Sequence, residues 1–463
     1  MTDSQRSPRP SDTLRPTWSR SDRRLPRRVV QPLQAFLETE TSSAVLLLGA
    51  TALALAWANS PWRDGYEELW STVLTVDVGG WSISEDLRHW VNDGLMSLFF
   101  LVVGMEIKRE FLIGELRDRR AAALPIVAAI GGMVVPALVY AALNAGGEGS
   151  NGWGIPMATD IAFAVGVLTI AARYAPPNVR PFLLTLAIVD DIGAILVIAI
   201  FYSGGVAPAP LLVAGLILAG MITLQRFDVR ATAPYLLLGL ALWVAFWESG
   251  IHPTIAGVVL GFLTPAHPFQ RPGAVSEEAI RTARETMDRP DPPDADAPQW
   301  LRLASLSREA VSPLTRVESA LHPWTSYVVV PLFALANAGI ELSGEAVRRS
   351  ATSRVTLGVI LGLVVGKVVG ITGASMLAVA AGLGRLPAGS GWRRILGVSA
   401  VAGIGFTVSL FITDLAFSEQ RLADEAKIGI LVASALASVL GFGVLRASSG
   451  RDHRPPDDAE REG

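Results

Sequence analysis

Cysteine is absent from the 463 residues, which excludes disulfides, thiol nucleophiles and thiolate metal sites. Lysine is nearly absent: of 39 basic residues only Lys108, Lys367 and Lys427 are lysines, so a lysine inside an apolar segment stands out. Charge is scarce altogether, at 17% of residues against 51% hydrophobic, and the charges bunch between long apolar segments. This composition is that of an all-α polytopic membrane protein. The net charge of -3 says little about partners beyond the bilayer, and no nucleic acid is expected.

Residues 1–40 are rich in Arg, Pro and Ser without an apolar core, and read as a disordered cytoplasmic tail rather than a secretory signal peptide. The membrane domain is 41–446, with apolar segments at 44–57, 87–107, 121–143, 155–172, 181–202, 210–224, 234–247, 251–263, 324–340, 355–383, 395–417 and 426–445. About twelve transmembrane helices are therefore expected. Arginines gather in alternate loops, with Arg348, Arg349 and Arg354 as the exceptions, so the positive-inside rule puts both termini in the cytoplasm. A long cytoplasmic loop at about 265–321 contains a Pro/Asp-rich stretch, 288–294, expected to be disordered, and a short surface helix at 276–287. The tail 447–463 is polar and expected to be loose. On the opposite, periplasmic side, Thr72 to Val78, Gly79-Gly80 and Trp81 to Ser84 form a β-hairpin pattern. An isolated hairpin is marginal in water, so this one should lean on something, for instance a second copy of the chain.

The chemistry concentrates at mid-depth. Asp190 and Asp191 lie halfway along an apolar run, where a carboxylate costs upward of about 2.5 kcal/mol, so structure alone is a poor reason for two. Asp160 follows Thr159 in a segment weakened by Gly152, Gly154 and Pro156, and Lys367 sits between Gly366 and Val368 in another span. The charge-free Gly403-Ile404-Gly405 interrupts a fourth. Broken backbone in lipid must line a cavity or be buried by protein, because its freed N–H and C=O groups need partners. Neighbouring residues on a helix point about 100° apart, so Asp190 and Asp191 should have different jobs: one facing an aqueous funnel and a cation, the other facing Lys367. Asp160 supplies a further carboxylate. Oxygen ligands suit a hard ion such as Na+ or Li+, and the same groups bind protons. The interrupted spans are the fourth and eleventh, each the middle of a three-span group. That is the sequence pointer to a site between two inverted three-helix repeats.

These stretches resemble the NhaA family of bacterial Na+/H+ antiporters, for which inverted repeats and broken helices are already described. The resemblance runs from about Phe36 to Arg446. It rests on Trp90 to Met96 with Phe99 to Glu110, Ala158 to Ala164, Ala187 to Ala194, Ser249 to His252 with Ala256-Gly257, His322 to Trp324 with Pro331 to Gly339, and Gly403 to Phe417. It implies an electrogenic exchanger of the cell inner membrane, without a cofactor, that expels Na+ or Li+ for more than one proton and so regulates internal pH and sodium. By motif match Asp190 and Asp191 are the ion and proton pair, Asp191 being the cation and proton ligand. Asp160 with Thr159 stabilises the crossing of the broken helices, and Lys367 pairs with Asp190. The three aspartates are the Na+ ligands this implies. The hairpin 72–84 becomes a homodimer contact. Residues matching the family's pH-response set near the cytoplasmic funnel are Glu106, Arg109, Glu110, His252, Glu318 and His322. Ser319 stands where histidine is frequent, and Thr315 where a basic residue is.

Plainer readings exist for several of these residues. Lys367 can be a simple structural tie, although an ammonium, unlike a guanidinium, can lose its proton when desolvated. Asp93 reads as a helix-end or funnel residue, and His252 as either locally hydrogen-bonded or pH-responsive. Asp414 and Glu248 read as solvated carboxylates at span ends. A passive cation channel could use the same carboxylates without needing Lys367 or two broken helices. An intramembrane aspartyl protease would carry a Gly-x-Gly-Asp motif, which this sequence lacks.

Overall fold

The computed structural model describes residues 40–171, 178–205, 207–287 and 297–449. Helix α1 (Glu40–Ala58) turns through 116° at Pro61 into α2 (Arg63–Trp70). The turn is tied down by side chains: Asn59 donates to the Ile340 carbonyl (2.8 Å), and the Tyr66 hydroxyl lies 2.8 and 3.0 Å from the carbonyls of Leu335 and Ala336. Strands β1 (Val73–Val78) and β2 (Trp81–Asp86) pair antiparallel, with Val73 opposite Asp86 and Val78 opposite Trp81. Gly79 and Gly80 hold φ of 60° and 89°, the left-handed turn that a two-residue hairpin requires. The hairpin leans on its own chain through Trp90, whose indole donates to the Leu74 carbonyl at 2.9 Å.

Helix α3 (Leu87–Leu112) carries a π turn at Trp90–Leu95, and α4 (Arg119–Asn144) follows. A 3-10 segment, Glu148–Met157, bends by 48° into α5 (Ile161–Ile170), where Pro156 and the glycines interrupt the helix. Then come α6 (Val179–Phe201), α7 (Pro208–Arg226), α8 (Thr232–Ser249) and α9 (Thr254–Leu263). The long connection holds α10 (Pro272–Met287), α11 (Ala297–Glu309) and α12 (Pro313–Trp324). A π turn, Thr325–Val329, leads into α13 (Val330–Asn337), followed by α14 (Gly344–Thr352) and α15 (Arg354–Ala380). Helix α16 (Trp392–Val401) bends by 50° into α17 (Phe406–Ala416), and α18 (Gln420–Ser449) closes the described chain.

Two groups of helices result. In one, α4, α6, α15, α18 and the bent pairs at 148–170 and 392–416 pack together; in the other, α3, α7, α8 and α9 do, with α12 and α13 against α3. The α4–α15 crossing brings two backbones together. A Cβ on Gly370 would lie 2.2 Å from the Gly131 carbonyl oxygen, and one on Gly131 would lie 2.4 Å from that of Gly370. Only glycine permits so close an approach of two backbones. In the second group, a Cβ on Gly257 would lie 2.1 Å from the Ser97 carbonyl oxygen.

The chain is a mostly helical, multi-pass membrane protein, but the expected count of twelve spans is not reached by length and apolarity. Among the described residues six helices are long and apolar enough to cross a bilayer, nine if each bent pair counts as one, and α9 is a shorter apolar helix. The segment 324–340 is divided by its π turn into α12 and α13. The connection at 265–321 is largely helical, its first helix starting at Pro272 instead of 276. Residues 288–294 and 1–39 lie outside the described residues. The tail expected from 447 begins as helix, since α18 reaches Ser449; the remainder lies outside them too.

Candidate functional site

The two bent pairs cross at their breaks. Asp160 N–H donates to the Ile404 carbonyl at 2.6 Å, so the two breaks are bonded to each other through their backbones. The Asp160 carboxylate then serves two helix starts at once. Its Oδ1 accepts from Phe163 N–H of α5 at 3.0 Å, and its Oδ2 accepts from the backbone N–H and hydroxyl of Thr407 on α17 at 3.0 and 2.6 Å. A negative group here satisfies orphan amide donors and complements the positive ends of both helices. Gly403 and Gly405 make the approach possible: a Cβ would meet the Leu363 carbonyl oxygen at 2.4 Å from the first and Ser409 Oγ at 2.3 Å from the second.

Thr159 connects the crossing to the neighbouring helices. Its hydroxyl lies 2.7 Å from Asp190 Oδ2 and 2.8 Å from the Ala402 carbonyl, and it accepts from Lys367 Nζ at 3.1 Å. Lys367 forms an ion pair with Asp190 through the same Oδ2, and both side chains are fully buried. Asp191, one residue on, points elsewhere. It lines a cavity of about 390 Å³ together with Glu106, Thr159, Asp160, Arg180, His322 and Thr407; Asp190 and Lys367 do not. The exposed Arg180 and His322 mark the mouth of this cavity, at the end of the bundle away from the hairpin. Asp191 Oδ1 is buried with no hydrogen-bond partner among the described residues. The carboxylates of Asp190, Glu106 and Asp160 act on it electrostatically, with Lys367 as the opposing cation.

The arrangement divides the residues singled out from sequence. Asp160, Thr159, Asp190, Asp191, Lys367 and Gly403 to Gly405 meet in one place. The three aspartates do not converge into a cage, and among the described residues no group of three His, Asp or Glu side chains is arranged to hold a metal ion. Asp190 is taken by Lys367 and Thr159, and Asp160 by Thr407, which leaves Asp191 as the carboxylate without a protein ligand.

The residues matched from sequence to a pH response separate as well. Arg109 pairs with Glu318 of α12, and Glu106 and His322 line the cavity nearby. Glu318 lies ahead of the apolar run, and burial pushes its carboxyl above the ordinary glutamate value against the opposing pull of Arg109 and His322. Glu110 accepts from Glu115 N–H at 2.7 Å at the end of α3. His252 is not with this group. It lies near the hairpin end, its Nε2 3.6 Å from Asp93 Oδ1 and its Nδ1 3.0 Å from Thr254 Oγ1. Asp93 and Glu106 are thirteen residues apart on α3, roughly 20 Å at helical rise. Asp414, expected to be solvated, instead meets Lys427 at 2.9 Å with only 19% of its side chain exposed. Sequence reading missed Thr407 and Ser409 too. The signal was their place at the first turn of a helix that starts at a break, where the Thr407 hydroxyl donates to the Asp160 carboxylate and the Ser409 hydroxyl to the Ile155 carbonyl.

The profile described as Na+/H+ antiporter 1 matches residues 34–445. The chain is 47% identical over 426 residues to the Na(+)/H(+) antiporter NhaA of Janthinobacterium sp., covering 90% of this chain and 93% of that one. It is 44% identical over 453 residues to Na(+)/H(+) antiporter NhaA 2 of Sorangium cellulosum, covering 96% of each. It is also 46% identical over 446 residues to Na(+)/H(+) antiporter NhaA 3 of Frankia alni, covering 96% of this chain and 93% of the relative. These relatives are named as transporters, not enzymes, and the chain belongs to the NhaA family of Na+/H+ antiporters.

Proposed function

We propose that this chain is an electrogenic antiporter that exports Na+ or Li+ across the bacterial inner membrane in exchange for more than one proton, contributing to pH and sodium homeostasis. One observation carries this reading: two adjacent buried carboxylates are treated differently, Asp190 neutralised by Lys367 and Asp191 left unpartnered at the floor of a cavity. Asp191 then binds either a desolvated Na+ or a proton, because a lone carboxylate far from bulk water is costly unless one of them compensates it. The rest of a Na+ coordination shell comes from hydroxyl and water oxygens around Asp191, with Asp160 and Thr159 at the cavity wall. Lys367 holds Asp190 in place and is the second proton-carrying candidate, since an ammonium can deprotonate when desolvated.

Alternating access follows from the two helix groups. The cavity reaches the site from the end where arginine-rich loops gather, which the positive-inside rule makes cytoplasmic, so this is the inward-facing form. Both termini are cytoplasmic and the hairpin periplasmic on the same rule. The hairpin presents Val73, Leu74 and Val76 at 61%, 48% and 40% exposure, and an apolar strand exposed in this way favours a homodimer contact.

In everted vesicles with a pH-sensitive dye, adding Na+ or Li+ should collapse an imposed proton gradient, and Asp191→Asn should abolish the response. No Na+-driven proton movement at any pH from mildly acid to alkaline would refute the reading.

A further inference from the structure

One face of α17 reads Thr407, Phe411, Asp414, at i, i+4 and i+7, so the three residues stack along the helix over about 10 Å. Thr407 bonds to Asp160 at the crossing. Phe411 is fully buried, with its ring centroid 5.3 Å from Phe100, 5.5 Å from His252 and 6.2 Å from Phe333. It plugs the space between the ion site and the hairpin end. Asp414 is the next group outward. Within its own helix group it is held by Lys427 of α18 at 2.9 Å. Across to the other group it accepts from Asn92 Nδ2 of α3 at 3.3 Å. Asn92 is itself fixed, accepting from Asn337 Nδ2 of α13 at 2.7 Å. Asn92 lies within the π turn of α3, a local widening of the helix of the kind found at functional sites.

We infer that Asn92–Asp414 is the outer latch of the transporter: the polar contact between the two helix groups that holds the hairpin end shut and must break for the site to face outward. Lys427 and Asn337 are positioning residues, one for each half. The geometry makes the latch responsive to the ion site, because Asp414 and Thr407 ride on the same rigid helix and any tilt of α17 that draws on Asp160 displaces Asp414. A neutral donor facing a carboxylate already satisfied by lysine suits a contact broken and remade in every cycle. A second buried ion pair across the groups would resist opening more strongly. The inference rests on the antiport reading above, deepening it by naming the closing contact.

The test uses the full chain in lipid nanodiscs, and the absence of cysteine permits labelling without background. Spin labels at Glu419→Cys, next to the start of α18 in the first group, and His89→Cys, on α3 of the second, report the distance between the two groups at the hairpin end by double electron–electron resonance. Both side chains are exposed, Glu419 at 52% and His89 at 59%. Asp414→Ala and Asn92→Ala should each raise the ratio of long to short distances on the order of tenfold, the loss expected from one hydrogen bond to a charged group. Lys427→Met should shift it in the same direction. An unchanged distribution in these variants, whatever their melting temperature, overturns the latch. Should a variant fail to fold, the same labels in the otherwise unaltered chain decide: titrating Na+ across the pH range must bring out the longer distance, and a single invariant distance overturns the proposal. Intact antiport with unmoved distances sinks the latch alone; absent antiport sinks the reading beneath it as well.

Discussion

Thr407 addresses one oxygen of Asp160 twice, through its backbone N–H at 3.0 Å and its hydroxyl at 2.6 Å. The other oxygen caps α5 through Phe163 N–H. One carboxylate thus joins the starts of two helices, its partner Thr407 lying 247 residues away in sequence.

Thr407→Val removes the hydroxyl donor and leaves the N–H. It should cost about 1.5–3 kcal/mol, the range for a hydrogen bond to a charged group, and Thr407→Ser should restore most of it. Thermal unfolding in detergent with both variants checks this. Equal melting temperatures for Val, Ser and wild type would show that the hydroxyl contributes nothing to the crossing.

Lys367→Ala leaves the fully buried Asp190 charge without its cation. Breaking a buried pair in this way costs about 3–5 kcal/mol, so the melting temperature should fall sharply and Asp190→Asn in the same chain should recover part of the loss. The number of charges moved per Na+ should change in parallel. Unchanged electrogenicity together with unchanged melting would reduce the lysine to an incidental tie.

Glu318 gives a pH dependence with a definite sign. Its carboxyl is raised in the folded protein, so its contribution to stability is fully present below the unfolded value of about 4.3 and is lost as pH climbs through the folded value. Glu318→Gln stays neutral throughout. Its melting temperature should therefore gain on that of wild type as pH rises from about 4 toward neutrality; parallel curves would contradict the assignment.

Gly370→Ala tests the backbone contact of α4 with α15, where the added methyl would stand 2.2 Å from the Gly131 carbonyl oxygen. Overpacking of this kind costs about 1–3 kcal/mol. A variant that melts like wild type would mean that the two helices separate more easily than their glycines imply.

Much of the site was legible because mid-membrane polarity is rare. Asp190, Asp191, Asp160 and Lys367 announce themselves against an apolar background, and Gly79-Gly80 marks the hairpin turn with the same clarity. The glycines of 152–154 and 403–405 mark the breaks, since only a segment with special backbone needs would tolerate them. What could not be read depends on partners far away in the chain. Asp414 looks like a solvated helix end until Asn92, 322 residues distant, and Lys427 are brought to it. His252 matches a pH-response motif yet stands beside Asp93, because the turn at Gly250 places the start of α9 near the hairpin end and not with Glu318. The helices of the 265–321 connection were only partly visible, since polar surface helices lack the apolar stripe that betrays a buried one.

Coupled exchange at Asp191 underlies every functional role proposed for the site. Purified chain in proteoliposomes, with proton and Na+ fluxes recorded together under a clamped membrane potential, measures it most directly. Na+-dependent proton flux should run in the opposite direction, with more than one proton per Na+, and neither flux should remain in Asp191→Asn. Na+ flux that proceeds without countermoving protons, or exchange that survives Asp191→Asn, would contradict it.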